Sequence, residues 1–205
     1  MERKHQAPIV TLGVLNAVHE SSEVTQRNLA DELGIALGLA NAYLRRCINK
    51  GYVKVRRAPA RRYAYYLTPK GFAEKARLTT EYLSDSLSLF RTAKVESSEC
   101  FERCAGRNWR RVALAGIGEL SEIALLSARD FPVEIIAIIE HGDSRTDYAG
   151  WPVWSDLRNS TELVDAIVVT DVVAPQATYE RLIELFPEDR VLSLPLLRVV
   201  PPVEA

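Results

Sequence analysis

Residues 25–71 read TQRNLADELGIALGLANAYLRRCINKGYVKVRRAPARRYAYYLTPKG, and the start and stop signals in this stretch decide the fold. Thr25 is a residue type that caps helix starts, and Leu29, Ala30 and Leu33 behind it share one helical face. Gly34 has the place of a glycine just past a helix end. Ile35 and Ala36 carry a turn, and a second helix is expected over residues 37–50, stopped by Gly51. An alternating strand over residues 52–56, a loop, and a returning strand over residues 63–67 follow. Thr68 and Pro69 then open another helix as cap and first residue. Two short helices joined by a Gly-containing turn, then a hairpin, predict a winged helix-turn-helix.

The second helix has two faces. Leu37, Ala40, Leu44, Cys47 and Ile48 recur at three- and four-residue spacing and form its inside. Gly38, Asn41, Ala42, Arg45, Arg46 and Asn49 form the other side, which holds no acid. Small residues there let a backbone come close to a groove, and the amide and guanidinium groups bond base edges or phosphates. The hairpin tip carries Arg56, Arg57, Arg61 and Arg62, a pattern that suits phosphate or minor-groove contact. Together with Arg27 these residues are the expected contacts to double-stranded DNA. Cys47 reads as a buried core thiol. Tyr63, Tyr65 and Tyr66 read as strand packing rather than base stacking.

Residues 8–92 resemble the MarR-type regulators associated with exopolysaccharide gene clusters. Gln26, Arg27, Leu29, Ala30, Leu33, Gly34, Ile35, Gly38 and Asn41 match that family's pattern, as do Lys50, Gly51, Val53 and Lys54. Tyr65, Leu67, Thr68, Pro69, Gly71, Lys75, Ala76, Leu78 and Thr79 continue the match. Ala36 stands where the family has a serine, which removes a cap. The resemblance implies transcriptional control of surface-polysaccharide genes by a homodimer.

At 205 residues, 47% hydrophobic and 26% charged, the chain has the balance of a globular protein with room for two modest domains. The net charge of −1 hides an asymmetry. Residues 1–95 hold 16 basic and 8 acidic side chains, and residues 96–205 hold 10 and 19. A basic half beside an acidic half places any nucleic acid on the first. Three cysteines imply no disulfide framework. Cys100 and Cys104, four apart on an expected helix, leave a metal or redox pair open, but no metal site is assigned. The charged start MERKHQ is followed by no long apolar run, so neither a secretory signal nor a membrane span is expected, and the expected location is cytoplasmic.

A first helix is expected over residues 8–20, with Ile9, Leu12, Leu15 and Val18 on one face. From Pro69 a long helix is expected, its stripe running through Phe72, Ala76, Leu78, Tyr82, Leu83, Leu87 and Phe90. Such a helix either packs on the rest of the chain or pairs two copies. A twofold dimer sets two recognition helices ~34 Å apart. The expected domains are residues 1–70 (winged helix-turn-helix), 71–106 (linker and dimerisation helix) and 107–205 (α/β).

The last domain alternates strands (residues 111–115, 133–140, 166–170 and 191–194) with helices (121–129 and 175–186). That order implies a parallel, Rossmann-like sheet. A turn and a short strand are expected at residues 150–154, and residues 161–164 end a short helix. Gly116 and Gly118 follow the first strand, Glu140 ends the second, and Asp171 ends the third. Glycines after a strand bring amides toward a phosphate at a helix start, and an acid after the second strand bonds ribose hydroxyls. Ser121 stands where a third glycine is usual, and Glu119 adds a negative charge to the loop. Gly116, Gly118, Ser121, Glu140 and Asp171 are therefore the candidate nucleotide-binding residues. Residues 110–195 resemble the nucleotide-binding domains of polysaccharide-synthesis proteins and the NAD-sensing domain of Rex-type repressors. The effector so implied is a nucleotide, NAD(H) or a nucleotide-sugar. No pair of nucleophile and base is apparent, and no enzyme activity is expected. The alternatives are an enzyme of nucleotide-sugar metabolism and a DNA-bound scaffold whose α/β domain recruits a protein.

Overall fold

A computed structural model describes residues 2–58, 62–142, 144–155 and 161–201, leaving aside the side chains of 2–6, 58, 62 and 161. The chain divides into two compact units, residues 1–87 and 88–205.

The first unit runs α1 (Glu2–Glu20), α2 (Gln26–Glu32), α3 (Leu37–Asn49), β1 (Val53–Ala58), β2 (Arg62–Leu67) and the start of α4 (Pro69–Gly106). It is a winged helix-turn-helix. α1 begins six residues before the expected start and runs through Pro8. Residues that favour helices precede Pro8, so the helix continues at the loss of one backbone bond. Thr25 caps α2 by accepting from the Asn28 N–H at 3.1 Å. Gly34 ends α2 in the left-handed region (φ 60°). The Ile35 N–H donates to Ala30 O and the Gly34 N–H to Asp31 O, the two bonds that close a helix on such a glycine. Gly51 repeats the device after α3, with Tyr52 N–H on Cys47 O and Gly51 N–H on Ile48 O. These paired stops set the angle of α3 against α2 and aim the chain into the hairpin.

The core of this unit joins Leu12, Leu15 and Val18 of α1, Leu29 of α2, and Ala40, Leu44 and Cys47 of α3 to Val53 and Tyr65 of the hairpin. Burial pushes the Cys47 thiol up to about 11, which keeps it protonated and unreactive. Ile9 and Leu37, expected inside, are half exposed, Leu37 at 49%. Leu37 is the first residue of α3, one turn before that helix meets the core at Ala40. The Thr68 hydroxyl donates to Gly51 O at 2.6 Å and accepts from the Gly71 N–H at 3.0 Å. A Cβ on Gly71 would run into the carbonyl oxygen of Tyr52. Of the stripe expected on α4, Leu78 is buried, while Phe72, Tyr82, Leu83, Leu87 and Phe90 are exposed. Every residue from 80 to 92 is exposed.

The second unit contains β3 (Arg111–Ala115), α5 (Glu119–Ala128), β4 (Glu134–Ile139), β5 (Asp147–Tyr148), β6 (Trp151–Trp154), β7 (Ala166–Val169), α6 (Pro175–Ile183) and β8 (Val191–Ser193). The strand order is β5-β6-β4-β3-β7-β8, parallel except for the β5–β6 pair. With the short antiparallel edge strand β5 set aside, the order from β6 to β8 is that of a Rossmann-like sheet, with the topological switch beside β3. Alternate strand residues feed the two faces. Val112, Leu114, Ile138 and Val168 pack with Ala124 of α5 and Ala93, Phe101 and Cys104 of α4. Ala113, Ala115, Ile167 and Val169 pack with Tyr179, Leu182 and Phe186. Cys100 and Cys104 lie in the first of these layers, where burial pushes their thiols up to about 11 and about 12. Among the described residues no group of three or more His, Cys, Asp or Glu could hold a metal ion. No described helix is long and apolar enough to cross a membrane.

Asp165 ties the start of β3 in place. Its carboxylate accepts from the Arg110 and Arg111 N–H groups at 3.0 and 2.8 Å and from the Arg111 guanidinium at 2.9 Å. The Arg111 guanidinium, with these amides, lowers its pKa to about 2.

Two outcomes are expected. Gly71→Ala should lower unfolding stability by ~2 kcal/mol through overpacking, read by urea denaturation. Asp165→Ala should cost ~1–2 kcal/mol at neutral pH. Because the folded pKa lies below the unfolded value of about 3.9, Asp165 stabilises fully above that pH. The gap between wild type and variant should therefore close as pH falls from about 4 toward about 2.

Candidate nucleic-acid interface and sheet crevice

α3 carries the first candidate site. Its start lacks a side-chain cap, since Ala36 holds the cap position in extended backbone (φ −61°, ψ 141°) and offers no oxygen. Gly38, Asn41, Ala42, Arg45, Arg46 and Asn49 line one open groove on its outer side. All six come together there, joined by Lys50, which the sequence reading missed. Lys50 follows Arg46 by four residues, so helical spacing carried the signal. Arg45, Arg46, Asn49 and Lys50 are exposed, and no carboxylate lines the groove. Arg27 is exposed on the first turn of α2 and lies outside the groove lining.

The hairpin register pairs Val53 with Leu67, Val55 with Tyr65 and Arg57 with Tyr63 on one face. Lys54 pairs with Tyr66 and Arg56 with Ala64 on the other. The Tyr65 N–H donates to Ser22 O and so anchors β2 to the loop between α1 and α2. Tyr65 is buried as strand packing requires, whereas Tyr63 and Tyr66 are exposed. The reading of all three as packing thus holds for Tyr65 alone, because Tyr63 shares its face but extends past the area the core covers, and Tyr66 lies on the opposite face of the hairpin. Arg56 and Arg57 are exposed strand residues. Arg61 and the side chain of Arg62 lie outside the described residues.

The second candidate site is the turn after β3. Gly116 (φ 114°) packs so closely on the Asp171 backbone that no side chain fits. Gly116, Glu140 and Asp171 line one crevice with His141, Ser155, Thr178 and Arg181. Gly118 and Ser121 lie outside that lining and bond to each other. The Ser121 hydroxyl donates to Gly118 O at 2.7 Å, and its oxygen accepts from the Gly118 N–H at 3.2 Å. Ser121 is fully buried in the first turn of α5, which starts two residues earlier than expected. The Glu140 carboxylate accepts from the Ile117 N–H at 2.8 Å, so the acid expected on a ribose is held by the glycine turn. Asp171 accepts from the Val173 and Ala174 N–H groups and the Thr178 hydroxyl at the start of α6. The crevice has a volume of about 40 Å³. That is room for about one water, against the several hundred Å³ typical of nucleotide-sized ligands.

Comparison with known proteins supports the fold. Residues 9–54 match the family model described as winged helix-turn-helix DNA-binding. A comparison with curated proteins found no match. Solved structures similar to part of the chain include FabT of Streptococcus pneumoniae in complex with DNA, 22% identical, with a TM-score of 0.32. That likeness covers 38% of this chain and 55% of FabT. A MarR family transcription regulator is 23% identical over 40% of this chain and 55% of its own, with a TM-score of 0.35. S. aureus MepR bound to an oligodeoxyribonucleotide is 22% identical over 43% and 73%, with a TM-score of 0.33. The chain thus spans about half the length of the first two. At these identities and TM-scores the likenesses do not bear on function.

The uncapped start of α3 gives a direct expectation. Ala36→Ser restores an acceptor for the first-turn amides and should raise stability by ~0.5–1 kcal/mol, measured by chemical denaturation.

Proposed function

We propose that this chain is a transcription regulator of the MarR type that docks on duplex DNA with α3 in the major groove and the hairpin on the flanking backbone. The observation that carries this reading is the open groove on α3, where amides, guanidinium groups and Lys50 meet with no carboxylate among them. Asn and Arg side chains on such a face can bond base edges, while Lys and Arg neutralise phosphates. The basic balance of residues 1–95 favours the same partner. The exposed stripe of Leu83, Leu87 and Phe90 on α4 supports a homodimer. The sequence resemblance adds surface or exopolysaccharide genes as targets, and control of transcription rather than catalysis as the task.

The α/β unit is the regulatory part of this reading. The glycine turn beside the switch in strand order supports a nucleotide or nucleotide-sugar as effector. Entry of such a ligand requires Glu140 to leave the Ile117 amide and the crevice to widen.

The test is selection of bound duplexes from a randomised pool by the full-length protein, followed by titration of the enriched sequence. A defined motif is expected. Arg45→Ala and Arg46→Ala should each weaken binding, by ~1–3 kcal/mol for a base contact or with a salt slope lower by about 1 for a phosphate contact. A protein that retains no duplex at low salt overturns the reading, and unchanged titrations of both variants overturn the docking.

A further inference from the structure

β8 is the last strand of the six-stranded sheet, and among the described residues no strand pairs with its outer edge. Its pairing with β7 fixes which backbone groups are left over. In a parallel pair, alternate residues of a strand turn their backbone groups to the same neighbour. The Val191 N–H donates to Glu188 O and the Thr170 N–H to Ala115 O, so neither serves the β7–β8 ladder. The register therefore gives Leu192 to the ladder. It turns the Val191 carbonyl and both the N–H and the carbonyl of Ser193 outward.

That edge lies in an open groove. Val191, Leu192 and Ser193 line a volume of about 810 Å³ together with Glu96 and Glu99 of α4 and Tyr179 of α6. Leu192 packs in the layer that holds Ala93 and Phe101 of α4, whereas Val191 packs with Tyr179 of α6. The two walls thus flank the strand on its two faces. Glu188 and Asp189, in the turn before β8, add two more carboxylates to the lining, against Arg103 as its cation. Glu96 is held by the Leu196 N–H, the Tyr179 hydroxyl donates to Glu188, and Asp189 pairs with Arg107. Glu99 and Glu188 are exposed.

A free strand edge in a groove suits a chain that offers donors and acceptors at strand spacing, which is how an extended peptide joins a sheet. A polyamine or a metal ion can meet the carboxylates but offers no acceptor to the Ser193 N–H. A second copy of this edge brings the same carboxylates and is repelled. Acidic walls favour a segment with basic side chains.

We infer that β8 is a docking edge on which an extended basic segment of a partner protein adds to the sheet as a further strand. Its backbone bonds Val191 O and the Ser193 N–H, and its Lys or Arg side chains turn toward Glu99 and Glu188. Such docking is independent of the DNA contact proposed above, because every residue lining the groove lies between 96 and 201.

The test titrates the full-length protein, by fluorescence anisotropy at low salt, with a labelled peptide of alternating Lys and Val, about six residues long as an ordinary strand is. Saturable binding tighter than about 1 mM is expected. The same peptide N-methylated throughout keeps its charge and loses its backbone donors, and should bind about tenfold more weakly. A peptide with Glu in place of Lys should not bind. Glu99→Lys should weaken binding by about threefold to tenfold. Ser193→Pro removes the edge amide and should cost about tenfold, while Ser193→Ala keeps that amide and should stay within about twofold. Thermal melts check that each variant is folded, and if Ser193→Pro is not, the methylated peptide decides in its place. Failure of the Lys-Val peptide to bind, equal binding of its methylated form, or unchanged titrations of both Glu99→Lys and Ser193→Pro overturns the docking edge. Displacement of the peptide by spermidine at equal charge concentration also overturns it, since the groove is then a general cation site.

Discussion

The peptide carbonyls of Gly51 and Tyr52 are the point on which the winged unit depends. α3 ends there, the hairpin begins there, and α4 starts against it. The Thr68 N–H donates to Tyr52 O, and the Thr68 hydroxyl donates to Gly51 O while capping α4 through the Gly71 N–H. One side chain thus satisfies the end of one helix and the start of another. Orphan carbonyls after α3 and orphan amides before α4 would otherwise have to meet water in a position that is largely buried. Threonine supplies a donor and an acceptor from one oxygen, and the bare Cα of Gly71 lets the two backbones approach. The groove on α3 and the face of the hairpin owe their relation to this junction.

That explains why the first unit was legible in the sequence. Thr25, Gly34, Gly51, Thr68 and Gly71 act within a few residues of their partners or at backbone positions with few alternatives. Helix stops at Gly34 and Gly51 close through bonds to carbonyls three and five residues back, so the glycine and the apolar spacing suffice to place them. Leu37 and Ile9 were misplaced because helical spacing assigns a face without saying where the neighbouring element begins. The hairpin strands were read within two residues, but the exposure of Tyr63 depends on how far the core extends under the sheet, and that of Tyr66 on which face of the hairpin the core takes. That is a property of three elements together.

The α/β unit shows the same division. The strands and their alternation with helices followed from apolar runs, and Ala166–Val169 is buried throughout as such a run requires. The start of α5 was set two residues late because the glycine turn and Ser121 were weighed as ligand contacts. Ser121 instead spends its hydroxyl on Gly118, inside the first turn. The short β5 carries no periodic signal, and only pairing with β6 makes it a strand.

Glu140 and Asp171 carry the lesson for the candidate site. Each stands at a strand end where a carboxylate suggests recognition of a ligand, and spacing alone cannot separate that use from another. A sharp turn after a strand leaves backbone amides without partners, and a nearby acid is the strongest acceptor available. Glu140 takes the amide of Ile117, and Asp171 takes two amides ahead of α6. Both acids are satisfied by the fold before any ligand arrives. A ligand at this turn must therefore offer the Ile117 amide a better acceptor than the carboxylate it displaces, which phosphate oxygens at a helix start are suited to do. The cost of that exchange belongs to the binding equilibrium of a ligand at this turn.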